Sequence, residues 1–325
     1  FNAPAEFVSR QGLRVGGETI SAKFILIATG SRPTELSCLK FDSKKILSSN
    51  DILNLKEVPD SLLIVGGGVI GCEFASLFSA FGTRVTIAEK MPQLIPGLDA
   101  EVAAKLGVSF KKKGITVFTN TDASSLEINQ YNLVLLCVGR SPLTEGLGLD
   151  KPGITLDKGR VVVDEYLKTN IDNIYAAGDV TGKTMLAHFA AYQGAIAAQN
   201  IAQPDNLKKA DNRNIPNCIF SDPEIASAGL NEEEAKSQGL DIKINKFDFL
   251  GSGMARIMDE AEGFIKICSE KKTEEILGAS IIGPKATELI ATLNLAITNR
   301  IKIYQIRDTI FAHPTLSESI HEALR

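Results

Sequence analysis

Leu62-Leu63-Ile64-Val65-Gly66-Gly67-Gly68-Val69-Ile70-Gly71-Cys72-Glu73 holds the strongest structural signal in the chain. Four apolar residues run straight into G-x-G-x-x-G at Gly66, Gly68 and Gly71, and a helical pattern follows at once. Ile70, Phe74, Leu77, Phe78 and Phe81 fall at helical spacing, Gly82 ends the pattern, and Thr83 to Ala88 reads as a second strand. The spacing therefore predicts a βαβ unit over 62–89. In such a unit the glycines allow a sharp turn, let backbone N–H groups approach a pyrophosphate, and let the helix pack close to the strand. The positive end of the helix dipole adds to the attraction. Glu89, at the end of the second strand, can accept hydrogen bonds from both ribose hydroxyls and would repel a 2′-phosphate, which favours NAD over NADP. The expected NAD contacts are Gly66, Gly67, Gly68, Val69, Ile70, Gly71, Cys72 and Glu89. Glu73 has two readings, a carboxylate favouring the helix dipole or a contact on the nicotinamide side.

Outward from this unit, strand-like runs alternate with helical ones: Phe24 to Ala28, Leu62 to Val65, Val85 to Ala88, Leu133 to Val138 and Ile174 to Ala177. That rhythm predicts α/β layers with parallel strands. From about Ile215 the pattern changes to strands at Ile242 to Leu250, Gly263 to Ser269 and Ile276 to Ile282, then a long helical stretch, Ala286 to Asn299. This predicts a separate α+β domain, with the polar stretch Gln203 to Asn214 as linker. Asn231 ahead of three glutamates marks a capped helix, and Gly16-Gly17 a tight hairpin between Leu13–Val15 and Thr19–Ile20.

The 325 residues allow two or three domains, and 44% hydrophobic with 23% charged residues is an ordinary globular balance. A net charge of -4 supplies no basic field for a phosphate backbone, so nucleic acid is not an expected partner. Lys111, Lys112 and Lys113 read as a solvated helix end. No apolar run approaches the roughly 20 residues of a membrane span, and a soluble intracellular protein is expected. The five cysteines are scattered singletons, read as buried free thiols, and with only three histidines no metal site is expected.

Near the end of the chain His313 and Glu318 stand five residues apart around Pro314. A carboxylate beside an imidazole fixes its tautomer, and an imidazole titrating near neutral pH can take a proton from a thiol and return it. The pair is a candidate acid–base centre. The same residues also fit a T-x-x-E capping box, Thr315 to Glu318, for a terminal helix. His321 reads as a surface residue.

Ordered blocks extend the picture: Ile27-Ala28-Thr29-Gly30-Ser31-Arg32-Pro33, Gly66 to Glu73, Val138-Gly139-Arg140-Ser141-Pro142, Tyr175-Ala176-Ala177-Gly178-Asp179, Met185-Leu186-Ala187-His188, and His313-Pro314-Thr315-Leu316-Ser317-Glu318. Together they resemble the pyridine nucleotide-disulfide oxidoreductases. The resemblance implies doubly wound FAD- and NAD-binding α/β layers followed by an α+β dimerisation domain. Its implied boundaries are 1–47 for part of a flavin domain, 48–141 for the NAD domain, 142–213 for a flavin-binding central domain, and 214–325 for the dimerisation domain. It also implies that Thr29, Gly30 and Ser31 line FAD, that Asp179 holds the ribityl chain, and that Met185, Leu186, Ala187 and His188 run beside the flavin ring. Gly139 and Ala123 become further NAD contacts. Asp179 could instead cap a following helix, and His188 could be structural, since only its backbone need meet flavin. The implied activity is oxidation of dihydrolipoyl groups with hydride passed to NAD. The implied partners are a second copy of the chain and the lipoyl-bearing acyltransferase component of a 2-oxo-acid dehydrogenase complex, in bacterial cytoplasm or mitochondrial matrix.

Such a reaction also calls for an earlier flavin G-x-G-x-x-G and a C-x-x-x-x-C disulfide, and neither is present in this sequence. The expectation is that an N-terminal portion lies outside the chain and that the chain cannot turn over alone. Two other readings stay open: a glutathione- or mercuric-type disulfide reductase, and a catalytically silent NAD-binding dimerising module.

Overall fold

The computed structural model describes residues 1–325, which form two compact units: 1–34 with 139–212, and 35–138 with 213–325. The chain passes between units within the polar linker expected at Gln203 to Asn214.

The larger unit contains a five-stranded parallel sheet in the order Ile46–Leu47, Leu133–Leu136, Ser61–Val65, Arg84–Ala88, Thr116–Phe118. Every residue of Ser61–Val65 is buried, as expected for a central parallel strand covered on both faces. Its helix, Val69–Ala80, buries Gly71, Cys72, Ala75 and Phe78, whereas Leu77 and Phe81 stay largely exposed. The apolar face read from the sequence is thus turned by about one residue. Close to the glycine turn the buried residues are small, since a Cβ on Gly71 would already lie 2.0 Å from the Gly66 oxygen, and the larger Phe78 is buried further along. The second helix, Ala100–Lys112, is capped by Asp99, whose carboxylate accepts from the N–H groups of Glu101 and Val102, and it ends on exposed lysines.

The rest of this unit is a five-stranded antiparallel sheet in the order Asn217–Ile219, Ile225–Gly229, Ile276–Ile282, Phe264–Glu270, Ile242–Asp248. Helix Ala286–Thr298 packs on it through Leu289, Ile290 and Leu293. Ile219, Ile225, Phe264 and Ile282 belong to the same hydrophobic cluster as Leu62, Ile64 and Phe110, which explains why the two sheets form one unit. Lys266 is buried where they meet and bonds Asp99 at 2.9 Å, Glu232 at 2.7 Å and Glu101 at 3.4 Å. Burial works against its charge. Hydrogen bonds to Glu232 and Asp99 and the charges of Asp99 and Glu101 outweigh that penalty and raise its pKa.

The smaller unit has less regular structure. A three-stranded antiparallel sheet, Ala5–Ser9, Gly12–Val15 and Glu18–Ser21, turns at Gly16 and Gly17, both at positive φ as a two-residue hairpin requires. Ile25–Ile27 pairs in parallel with Ile174–Ala176, and Ser31–Pro33 pairs antiparallel with Arg140–Pro142. Phe7, Ile25, Ile27, Ile174 and Ala176 fill its core, and helix Ala187–Ala202 completes it. No helix of the chain is long and apolar enough to cross a membrane.

Candidate functional site

The glycine loop leaves the end of Ser61–Val65 with Gly66 at φ 111°. A Cβ at Gly66 would lie 2.5 Å from the Cys137 carbonyl oxygen, and one at Gly71 would lie 2.0 Å from the Gly66 oxygen, so neither position has room for a side chain. Gly68 is different: a Cβ there meets nothing within 4 Å. The tight glycines shape the turn, and the open one leaves the approach clear. Val69 and Ile70 begin the helix, where the first N–H groups have no intrahelical acceptor. This combination suits a pyrophosphate. Glu89 is buried at the end of its strand and grips backbone with both oxygens, Oε2 accepting from Gly67 N–H at 2.6 Å and Oε1 from Met91 N–H at 2.7 Å. Its carboxylate therefore locks the loop, and one lone pair on each oxygen remains to accept a further hydrogen bond. Ala123 opens a short 3₁₀ turn capped by Asp122 and connected to this site through Thr121 N–H, which donates to the Glu89 carbonyl at 2.9 Å.

Glu73 lies beyond the first turn of its helix, so the helix-dipole reading does not hold. Its Oε1 instead accepts the Phe220 N–H at 2.9 Å, and burial raises its pKa against that hydrogen bond. Cys72 and Cys137 are buried free thiols, whereas Cys38 is exposed, and Cys218 is half-buried, contrary to the blanket reading of buried cysteines. Cys38 stands in an irregular stretch between two short strands, where no sheet covers it.

In the smaller unit the parallel pairing of Ile25–Ile27 with Ile174–Ala176 brings two glycine turns together. Ser31 Oγ donates to Asp179 Oδ2 at 2.5 Å, and Arg140 Nε donates to Ser31 Oγ at 2.7 Å while its other nitrogen reaches the Ser31 carbonyl at 2.8 Å. Thr29 Oγ1 donates to the Leu143 carbonyl, and Gly30 sits at φ 75° with open space where a Cβ would be. Asp179 does not cap the long helix. It lies in a separate 3₁₀ turn, Gly178–Thr181, and Leu186 is the residue at the helix cap. Met185 and Leu186 are partly exposed, and exposed Ala187 and His188 open the 16-residue helix, whose cap residue makes no side-chain hydrogen bond. Two residues went unnoticed in the sequence: Arg140, and Gln193, which is buried mid-helix and accepts the Gly178 N–H at 2.8 Å. A glutamine on the buried side of an alanine-rich helix was the available signal. Gly139 begins the return segment at φ 123°, again with open space beside it.

His313 Nδ1 lies 2.9 Å from Glu318 Oε1, and the ring is largely exposed. Glu318 Oε2 accepts the Thr315 N–H at 2.8 Å. This N–H, followed by the contact with His313, holds the Glu318 carboxyl below its usual range. An ionised acceptor on Nδ1 places the proton there and leaves Nε2 with the lone pair, directed away from the carboxylate. Only half of the capping box forms, because the Thr315 hydroxyl bonds the Ala312 carbonyl and Ser317 instead of a helix N–H. One oxygen of Glu318 serves the turn and the other serves His313. His321 is partly exposed, as a surface reading allows, but it is also engaged. Its Nε2 is 3.0 Å from the Arg307 carbonyl, and its ring stacks on Phe311.

A parallel strand–glycine turn–helix with an acidic strand end, a second pair of glycine turns, and an imidazole–carboxylate pair on an antiparallel sheet domain define a nucleotide-dependent oxidoreductase framework. Residues 1–194 match the pyridine nucleotide-disulphide oxidoreductase model, and residues 215–324 match that family's dimerisation domain. The chain belongs to this family. It is 40% identical to a dihydrolipoyl dehydrogenase of Chlamydia muridarum over 98% of this chain and 72% of the relative. A dihydrolipoyl dehydrogenase of Bacillus subtilis is 38% identical over 98% of this chain and 74% of its own length. Among solved structures, the HOCl-induced flavoprotein disulfide reductase RclA of Escherichia coli superposes with a TM-score of 0.91 at 30% identity, covering 99% of this chain and 78% of that one.

Proposed function

We propose that the protein oxidises dihydrolipoyl groups and delivers hydride to NAD, using FAD between them. His313 paired with Glu318 carries this reading, since dithiol oxidation needs a base that takes a thiol proton and a carboxylate that keeps its tautomer. Bound FAD would supply the two-electron relay between dithiol and pyridine nucleotide. The glycines at 66–71 and the first N–H groups of the helix hold the NAD pyrophosphate, and Glu89 selects the unphosphorylated ribose. Gly139 and Ala123 add contacts to the same nucleotide, and Cys72 and Glu73 lie along the helix that begins at it. Asp179, oriented by Ser31, accepts ribityl hydroxyls. Thr29 and Gly30 line the flavin, and the backbone of Met185 to His188 borders its ring. His313 serves the site of a second copy of the chain, so the working form is a homodimer. Its protein substrate is the lipoyl-bearing acyltransferase component of a 2-oxo-acid dehydrogenase complex, met in bacterial cytoplasm or mitochondrial matrix.

Comparing NADH with NADPH affinity by fluorescence titration tests the assignment, together with the visible spectrum of the purified protein. NADH preference and flavin absorbance are expected. A clear NADPH preference would overturn it in favour of a glutathione-type disulfide reductase, and a colourless protein that still binds NADH would favour a silent nucleotide-binding module.

A further inference from the structure

The Gly66–Gly67 peptide is held at both ends. Its N–H, on Gly67, donates to Glu89 Oε2 at 2.6 Å. Its carbonyl, on Gly66, is met from beneath by the Cys137 thiol, with Sγ 3.3 Å away. The next peptide is held by Ile95 N–H, 2.7 Å from the Gly67 oxygen, with the Cys72 thiol a second donor at 3.4 Å. Gly67 thus has two donors on its oxygen, whereas Gly66 depends on one thiol, whose Sγ is nearer to it than to the Val65 carbonyl at 3.6 Å. Cys137 is also the side chain nearest to a Cβ built on Gly71, at 3.2 Å, so the thiol fills the corner between the last residues of Leu133–Leu136, the glycine turn and the helix. Burial and the nearby Glu89 charge push it up to about 12, so it stays protonated and able to donate.

The two ends of one planar peptide point in opposite directions, so fixing the Gly66 oxygen and the Gly67 N–H together fixes the plane. That plane sets the path of the chain into Gly68, the glycine with open space around it, and into the helix N–H groups that follow. We propose that Cys137 is a positioning residue for NAD, its thiol holding the Gly66 carbonyl so that the glycine loop presents its N–H groups to the pyrophosphate. This rests on the assignment of the loop as the NAD site.

The test is equilibrium NADH binding, followed by nicotinamide fluorescence, on the full chain and its Cys137→Val and Cys137→Ser variants. Valine removes the donor but is bulkier than cysteine, alanine removes it at a size close to serine's, and serine restores a donor. The loss of one buried hydrogen bond predicts about tenfold weaker binding for Cys137→Val, with Cys137→Ser closer to the parent. Amide exchange at Gly67 gives a readout that mere packing would not move, and it should quicken in the valine variant and recover in the serine one. Should the valine variant fail to fold, Cys137→Ala takes its place against serine in both measurements. Parent-like NADH binding by the donor-free variant, or serine as weak as valine, overturns the positioning role while leaving the NAD assignment intact. A parent chain that does not bind NADH overturns that assignment and this inference with it.

Discussion

The glycine loop and the His313 turn both hold polar groups ready for chemistry, but they use burial in opposite ways. At the loop every fastening is inside: Glu89 is buried, its oxygens are taken by Gly67 and Met91 N–H groups, and carbonyls are met by thiols from below. The open side of Gly68, the helix end and the remaining lone pairs of Glu89 are left for a ligand. At the turn, the imidazole stands in solvent and is steadied by a single carboxylate oxygen, while the other oxygen holds the backbone. A cofactor site gains from rigidity, because its ligand does not change shape during turnover. A proton-transferring group needs only its tautomer fixed and its far nitrogen accessible.

The contrast can be broken first at Gly71. Gly71→Ala would place a Cβ against the Gly66 oxygen, and overpacking of this kind should weaken NADH binding by roughly a hundredfold or more, measurable by fluorescence titration. Binding within threefold of the parent would show that the loop is softer than it looks. At the turn the expected result is reversed. In the longest natural form of the protein, His313→Gln should cut dihydrolipoamide turnover by about a hundredfold or more while the NADH dissociation constant stays within about twofold. Equal turnover in mutant and parent would remove the acid–base assignment.

Lys266 tests whether the seam between the second helix and the antiparallel sheet is held electrostatically. Lys266→Met strands the buried Asp99 and should lower unfolding free energy by about 3 kcal/mol in urea titrations. The pH range follows from the direction of each shift. Lys266 is raised above its usual 10.5, so its contribution is complete below that pH and lost as pH rises through the higher folded value. Glu232 is lowered from 4.5 to about 2, chiefly by Lys236 and then by Lys266, so its contribution is present above 4.5 and lost as pH falls toward 2. The difference between parent and variant should therefore be flat from about pH 5 to pH 10 and shrink outside it. The smallest effect is expected at Ser31, where Ser31→Ala removes the hydroxyl between Asp179 and Arg140 and should weaken flavin retention several-fold, read from absorbance after dilution.

The βαβ unit was legible because a parallel strand, a glycine turn and a helix each leave a local signature, and here the three are contiguous. The capped helix at Asn231 and the Gly16-Gly17 hairpin were legible for the same reason. The exposure of Leu77 and Phe81 was not, since apolar periodicity reports a stripe but not which edge of it a close-packed sheet will accept. Nor was the partner of Glu73: it is an N–H contributed 147 residues downstream, and backbone donors carry no side-chain signature. Arg140 escaped for a related reason, because its acceptors on Ser31 lie 109 residues earlier. His313 and Glu318 were readable as a pair, but that one carboxylate could serve both imidazole and backbone depended on the path of the turn.

The short antiparallel pairing of Ser31–Pro33 with Arg140–Pro142 has a consequence for how such a chain can be rebuilt. Thr34 N–H bonds the Gly139 carbonyl at 3.1 Å, so the chain departs from the smaller unit and returns to it at adjacent points. Residues 35–138 therefore leave the smaller unit and re-enter it at neighbouring points of its backbone. A segment with another nucleotide preference could enter and leave at the same strand register, but it would have to carry over Leu62, Ile64 and Phe110, which share their core with Ile219, Ile225, Phe264 and Ile282.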